Sequence, residues 1–273
     1  MTPSRRQVDA TRAVVEWYRS THHGSDDDVG LIGTFCSPST VGAFASSREA
    51  LERGDDNELF KLLVTVAMFQ RLRDALVMNI LRGISARDAA VLTSVKSLVT
   101  LAQKSPCGHT RTNETLLQSC DLTKDESGNG CCFAEPKLAC HLEVHTVLLK
   151  RYGHFGKMPT SAALTVAQRG GGLGLLRRDV FAASSDPLER AQQLVSRFSE
   201  IWRVSDKLAS MFLSLVCAPH MGLELPPWQS GVDWTWFVVV DRNVDLFLES
   251  IGYEGHGTYE ARRGFVRGLA AKV

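Results

Sequence analysis

Apolar residues recur along most of this chain at helical spacing. Over residues 7–20 the positions Val8, Ala13, Val14, Trp17 and Tyr18 predict an amphipathic helix. Residues 21–40 are polar and turn-rich and read as a loop, and Ser47–Arg53 as a short helix. The run over 56–84 is apolar nearly all round, with a break near Phe69–Arg73 and an N-cap at Asp56 or Asn57. Further helices fit Ser85–Leu92 and Ser94–Lys104. The period is lost over 105–140, where cysteine, glycine and polar residues dominate. A helix resumes at about 138–152, and the stretches GHFGKMPTS (153–161) and RGGGLG (169–174) carry loop signals. Asp186-Pro187 opens a helix running to about Trp202. A turn then enters a helix with Lys207 near its start, and the apolar run FVVV ends in Asp241, which opens the next helix. No strand series able to make a large sheet is present, so the pattern predicts an all-α fold.

The 273 residues suffice for one large domain or two small ones. A net charge of +1 excludes a global polycation, so nucleic-acid contact would need a local basic face. Candidates are Arg71, Arg73, Arg82 and Arg87, then Arg169, Arg177 and Arg178, then Arg262, Arg263 and Arg267. No apolar stretch approaches the roughly 20 residues that span a bilayer. The N-terminus lacks the apolar core of a signal peptide. A cytoplasmic protein without a membrane partner is therefore expected.

In a reducing compartment a cluster of cysteines reads as a metal site more readily than as disulfides. Cys107, Cys120, Cys132 and Cys140 are the preferred tetrahedral zinc set, with Cys131, His109 and His145 as substitutes. No Cys-x-x-Cys pair is present, and reduced cysteines in a variable loop remain the bland alternative. Zinc there would be structural, folding a cysteine-rich insert over 105–145 that is too short to build its own core. Cys36 and Cys217 read as small buried apolar residues.

A lysine and an aspartate delivered to one cleft can act as a covalent-catalysis pair, the amine attacking a sugar carbon and the carboxylate steadying the positive charge. Taken alone, Lys207 is an ordinary solvated charge and Asp241 an ordinary N-cap. Three segments sharpen the picture. NELFKLLVTVAMFQRLRD (57–74), RVSDKLASMFLSL (203–215) and VVVDRNVDLFLESIGY (238–253) resemble, in order and spacing, the early barrel helix, the hairpin with its lysine, and the aspartate segment of the helix-hairpin-helix DNA glycosylase superfamily, which contains endonuclease III and the 8-oxoguanine glycosylases.

The resemblance implies two helical subdomains with a cleft between them. Residues 1–55 and 208–273 would form a terminal subdomain closing the cleft on a helical barrel, 56–207, that carries the hairpin. It implies a monomeric enzyme that flips a damaged or modified base out of double-stranded DNA and cleaves its N-glycosidic bond. Lys207 and Asp241 fall on the catalytic pair, and a lysine there implies Schiff-base AP-lyase activity. Gln70 falls on a glutamine beside the flipped nucleotide, with Phe69 as an alternative wedge. Arg71, Arg203 and Ser205 would meet the DNA backbone, and Asp74 falls on a structural acidic position. Trp202, Phe212, Trp234 and Trp236 are candidates to stack on the base, although core positions are the commoner fate of such residues. The chain departs from the family in three respects: the two hairpin glycines are replaced by Arg203 and Ser205, the C-terminal four-cysteine iron–sulfur signature is absent, and the link 218–237 from the lysine helix to the aspartate is longer than usual. A monofunctional glycosylase, in which Lys207 binds phosphate, and a non-catalytic DNA-binding protein of the same fold are the alternatives.

Overall fold

The computed structural model describes residues 2–22, 31–70, 73–105, 108–120 and 157–273. Among the described residues every regular element is helical. The chain runs through α1 (Arg5–His22), α2 (Ile32–Cys36), α3 (Pro38–Val41), α4 (Arg48–Glu52), α5 (Asp56–Ala67), α6 (Asp74–Arg82), α7 (Ala86–Leu92) and α8 (Val95–Lys104). It continues with α9 (Asn113–Ser119), α10 (Lys157–Gln168), α11 (Leu173–Ala183), α12 (Pro187–Phe198), α13 (Asp206–Cys217), α14 (Pro226–Gln229), α15 (Arg242–Ser250) and α16 (Tyr259–Ala270).

Local chemistry sets most boundaries. Ser47, Ser85 and Ser94 cap α4, α7 and α8 by accepting a backbone N–H three residues on. Asp186 does the same for α12, with Pro187 in the first turn, where its missing N–H costs nothing. The long apolar run divides as its polar interruption predicts, into α5 and α6. Its cap is Asp55, one residue before the expected pair. Asp56 serves a different helix: its carboxylate accepts the Gly174 N–H at 2.7 Å, capping α11 from across the fold. The RGGGLG stretch fits this contact. Gly170 and Gly171 both take φ +97°, a region that favours glycine, and a Cβ on Gly172 would lie 2.8 Å from the Asp56 Cγ.

Three expectations are corrected. Residues 32–41 form two short helices instead of a loop. α10 covers Lys157–Gln168, so residues 157–161 of the stretch read as a loop are helical, Pro159 included. Residues 108–120, assigned to the insert, belong to the helical body: Asn113 of α9 accepts from Ser161 Oγ at 2.6 Å and donates to the Glu200 carbonyl at 3.1 Å. The remainder of the insert and the helix expected at 138–152 lie outside the described residues.

The apolar residues form two clusters. The larger draws on α2–α8 and α10–α14, with α5, α10 and α13 buried on almost every side. The smaller joins Val8 of α1 to Leu248 of α15 and to Phe265 and Leu269 of α16. Residues 32–51 and 208–237 contribute to the larger cluster, and the turn at 233–236 also meets α16, where Arg267 pairs with Asp233. No helix among the described residues is long and apolar enough to cross a membrane.

Candidate functional site

The site is organised by the hairpin between α12 and α13. Ile201 and Val204 in the connection are buried, while Arg203 between them is exposed. Arg203 has φ +63° and is the one non-glycine residue with positive φ among those described. The left-handed step turns Val204 back into the core. It is a conformation that glycine would adopt at lower cost. The connection is fastened from below: the Trp202 N–H donates to Ser161 Oγ at 2.8 Å, and that hydroxyl donates onward to Asn113.

Ser205 occupies the N-cap position of α13 but makes no side-chain cap bond. The first amides of this helix are therefore available to an anion, and Ser205 and Arg203 flank them. Lys207 follows, half-buried, with neither a hydrogen bond nor an ion pair among the described residues. It lines an open cavity of about 680 Å³ together with Phe69, Gln70, Trp202, Arg203 and Ser205. Six predicted site residues thus converge. Leu117 of α9 also lines the cavity and went unpredicted; its exposed apolar side chain on a polar helix was the available signal. Gln70 is turned onto its own helix end, its Nε2 donating to the Ala67 carbonyl. Arg71 lies outside the described residues.

Asp241 is the N-cap of α15. Its Oδ1 accepts the amides of Asn243 at 2.9 Å and Val244 at 3.0 Å, while Oδ2 accepts none among the described residues. It is not among the residues lining the Lys207 cavity. Its approach to α13 is indirect. The Tyr259 hydroxyl donates to the Val238 carbonyl at 3.0 Å and accepts the Val240 N–H at 3.3 Å. The same hydroxyl neighbours Ser210, one turn beyond Lys207. Burial pushes the Tyr259 phenol up, partly offset by the Val240 amide and Ser210.

The aromatic candidates separate. Trp202 alone faces the Lys207 cavity, with Lys157 Nζ 4.8 Å and the Arg203 guanidinium 5.1 Å from its ring. Trp234 lines a second, apolar cavity and meets His220 edge-on at 5.1 Å. Trp236 lines a third, under the guanidinium groups of Arg263 and Arg267. Phe212 is corrected to a core residue: it is fully buried against Phe198 and Trp228 and lines none of these cavities. The C-terminal arginine group is also not a free basic face. Arg262 pairs with Asp245, Arg263 with Asp206, and Arg267 with Asp233. Arg169 is likewise held by Glu200.

Of the expected zinc ligands, Cys107, Cys131, Cys132, Cys140 and His145 lie outside the described residues. Cys120 is buried, its carbonyl accepting from Lys157, and His109 is exposed in a short 3₁₀ turn. Among the described residues no three metal-ligating side chains cluster. Compared with protein-family models, with curated proteins and with solved structures, the chain matches none.

Proposed function

We propose that this chain is a DNA glycosylase that extrudes a damaged or modified base and cleaves its N-glycosidic bond, with Schiff-base AP-lyase activity at Lys207. The observation that carries the reading is the convergence of Lys207, Trp202, Gln70, Phe69, Arg203 and Ser205 on one open cavity at the head of α13. Double-stranded DNA approaches with a phosphate on the α13 amides and the Arg203 guanidinium. Gln70 fills the gap left by the extruded nucleotide, whereas Phe69, the alternative wedge, is buried against Phe35 as cavity wall; Trp202 offers a stacking face worth about 1–3 kcal/mol.

In the chemical step the Lys207 amine bonds to C1′ as the base departs with the glycosidic electron pair and takes up a proton. The Asp241 carboxylate stabilises the cationic sugar as that bond breaks. The N,O-acetal at C1′ then opens to an iminium as the C1′–O4′ bond breaks and O4′ takes a proton; loss of the C2′ proton expels the 3′ phosphate, and water releases the lysine. A zinc ion held by Cys107, Cys120, Cys132 and Cys140 would be structural, and the enzyme acts as a monomer. Metal analysis of the purified chain should then find about one zinc per chain; a metal-free protein with full activity would remove zinc from the account.

The test is borohydride trapping on oligonucleotides bearing a panel of lesions and modifications. Wild type should give a covalent adduct, Lys207→Ala none, and Asp241→Asn a base-release rate lower by at least about 100-fold. Undiminished release by both variants would overturn the proposal. A second reading is favoured by one observation, that Asp241 is engaged as a cap and does not line the Lys207 cavity. On that reading the protein is monofunctional, releasing base without an adduct, or binds DNA without any chemistry.

A further inference from the structure

The face of α13 that begins with Lys207 continues into a second hollow. Met211, Ser214 and Leu215 line a cavity of about 1010 Å³, and their spacing from Lys207 keeps all four on one side of the helix. Phe69 lines both this hollow and the Lys207 cavity, so the two share a wall. The lining is mainly apolar, including Phe35, Met78, Met221 and Phe237. Of its charged groups, Asp74 is a carboxylate and Arg267 is already held by Asp233 at 2.6 Å, while the His220 ring lies edge-on to Trp234.

The wall contributed by α16 is hollow by composition. Gly264 and Gly268 both line the cavity from the interior of that helix, where glycine weakens the helix. A Cβ on Gly264 would meet nothing within 4 Å. The volume lies at the top of the range of about 300–1,000 Å³ that takes a drug-sized ligand, more than an unsubstituted base needs.

We infer, resting on the glycosylase reading, that the extruded base, its ring beside Trp202, passes its substituent along Phe69 into this hollow, and that the preferred substituent is bulky, uncharged and apolar. Size and lining act together: a bare base leaves apolar wall facing water, an anionic substituent meets Asp74, and an apolar group replaces water along Met211, Met221 and Phe237.

Calorimetric titration of the full chain with N6-benzyladenine and 5-phenyluracil, against adenine and uracil, tests the inference without requiring turnover. At least one substituted base should bind about tenfold or more tighter than its parent. Gly264→Leu and Met211→Trp, each verified as helical by circular dichroism, should lose most of that gain. If neither substituted base outbinds its parent, or if both filled variants keep the gain, the inference fails. Duplex DNA carrying N6-benzyldeoxyadenosine or 5-phenyldeoxyuridine separates it from the parent reading. Tight binding of the free base without release from either duplex leaves the hollow's preference standing and overturns the glycosylase. Release of unmodified bases at rates equal to the substituted ones keeps the glycosylase and overturns the preference.

Discussion

The contact between Asp56 and the RGGGLG turn can be measured as a double-mutant cycle. Asp56 caps α11 from the first turn of α5, and Gly172 leaves the room it needs. Gly172 has φ −143° and ψ 151°, extended backbone open to any residue, so Gly172→Ala is not opposed by the backbone. The added methyl would, however, sit 2.8 Å from the Asp56 Cγ and force the carboxylate away from the Gly174 N–H. Losing such a cap costs about 1 kcal/mol. Restricting the unfolded chain returns about 0.4–1 kcal/mol. Gly172→Ala is therefore expected to be neutral to mildly destabilising in the wild type. With Asp56→Ala already present there is no bond left to lose and no clash, so the same change should stabilise by about 0.4–1 kcal/mol. The sign changes with background, and the coupling is about 1 kcal/mol, in urea denaturation or as roughly 2–4 °C in Tm. Equal effects in the two backgrounds, within about 0.3 kcal/mol, would refute the argument.

Other predictions follow from single positions. Arg203→Gly relieves left-handed strain of about 1–2 kcal/mol and gives back part of it through a looser unfolded chain, so thermal stability should hold or rise slightly. DNA affinity should nevertheless fall, with the slope of log K on log salt reduced by about one; a Tm loss above about 6 °C would contradict the strain assignment. Burial holds the Cys217 thiol far above its ordinary value of 9.0. Below that value both states keep the proton and the stability is fully present; as pH rises through and beyond it the unfolded thiol ionises and the native one does not. Stability should fall by about 1.4 kcal/mol per pH unit from this group alone. Cys217→Ala should flatten that alkaline limb in melts taken between about pH 8 and pH 10.5, whatever its cost at neutral pH. The half-buried Tyr259 phenol adds a loss beginning near its ordinary 10.0.

What the sequence disclosed and what it withheld divide along physical lines. The Asp186 cap acts within three residues and was legible, and Ser85 and Ser94, read as helix starts, prove to be caps one residue before their helices. The cap of α5 was displaced by one because Asp56 is used by α11, about 118 positions away in the chain, and no local rule reveals that partner. Pro159 misled for a related reason: its ring reads as a helix breaker, yet it lies within α10. The Lys207 cavity was largely legible because Trp202, Arg203, Ser205 and Lys207 are near neighbours in the chain. The apolar hollow was not, since its walls come from separate segments between Leu31 and Ala271. The aromatic candidates failed to sort for the same reason. Trp234 and Trp236 are two residues apart and line different cavities, because the 3₁₀ turn that carries them points one ring toward His220 and the other under Arg263.

Arg203 joins the two halves of the functional argument. A left-handed arginine is an observed backbone outlier, and such outliers persist where the surroundings over-determine them. Here the surroundings are identifiable: Ile201 and Val204 are both drawn into the core, and Trp202 is pinned by its amide to Ser161, leaving position 203 no alternative to the outward left-handed step. Glycine would take that step more cheaply, so the arginine is a cost to the fold. Its guanidinium lies over Trp202 at the mouth of the Lys207 cavity, beside helix amides that no side chain caps. A cation held there by a strained backbone, next to a half-buried lysine without a partner among the described residues, suits a polyanion and has no evident use to the core. That is why the site at the head of α13, more than the C-terminal arginines already spent on carboxylates, is where DNA binding should first be sought.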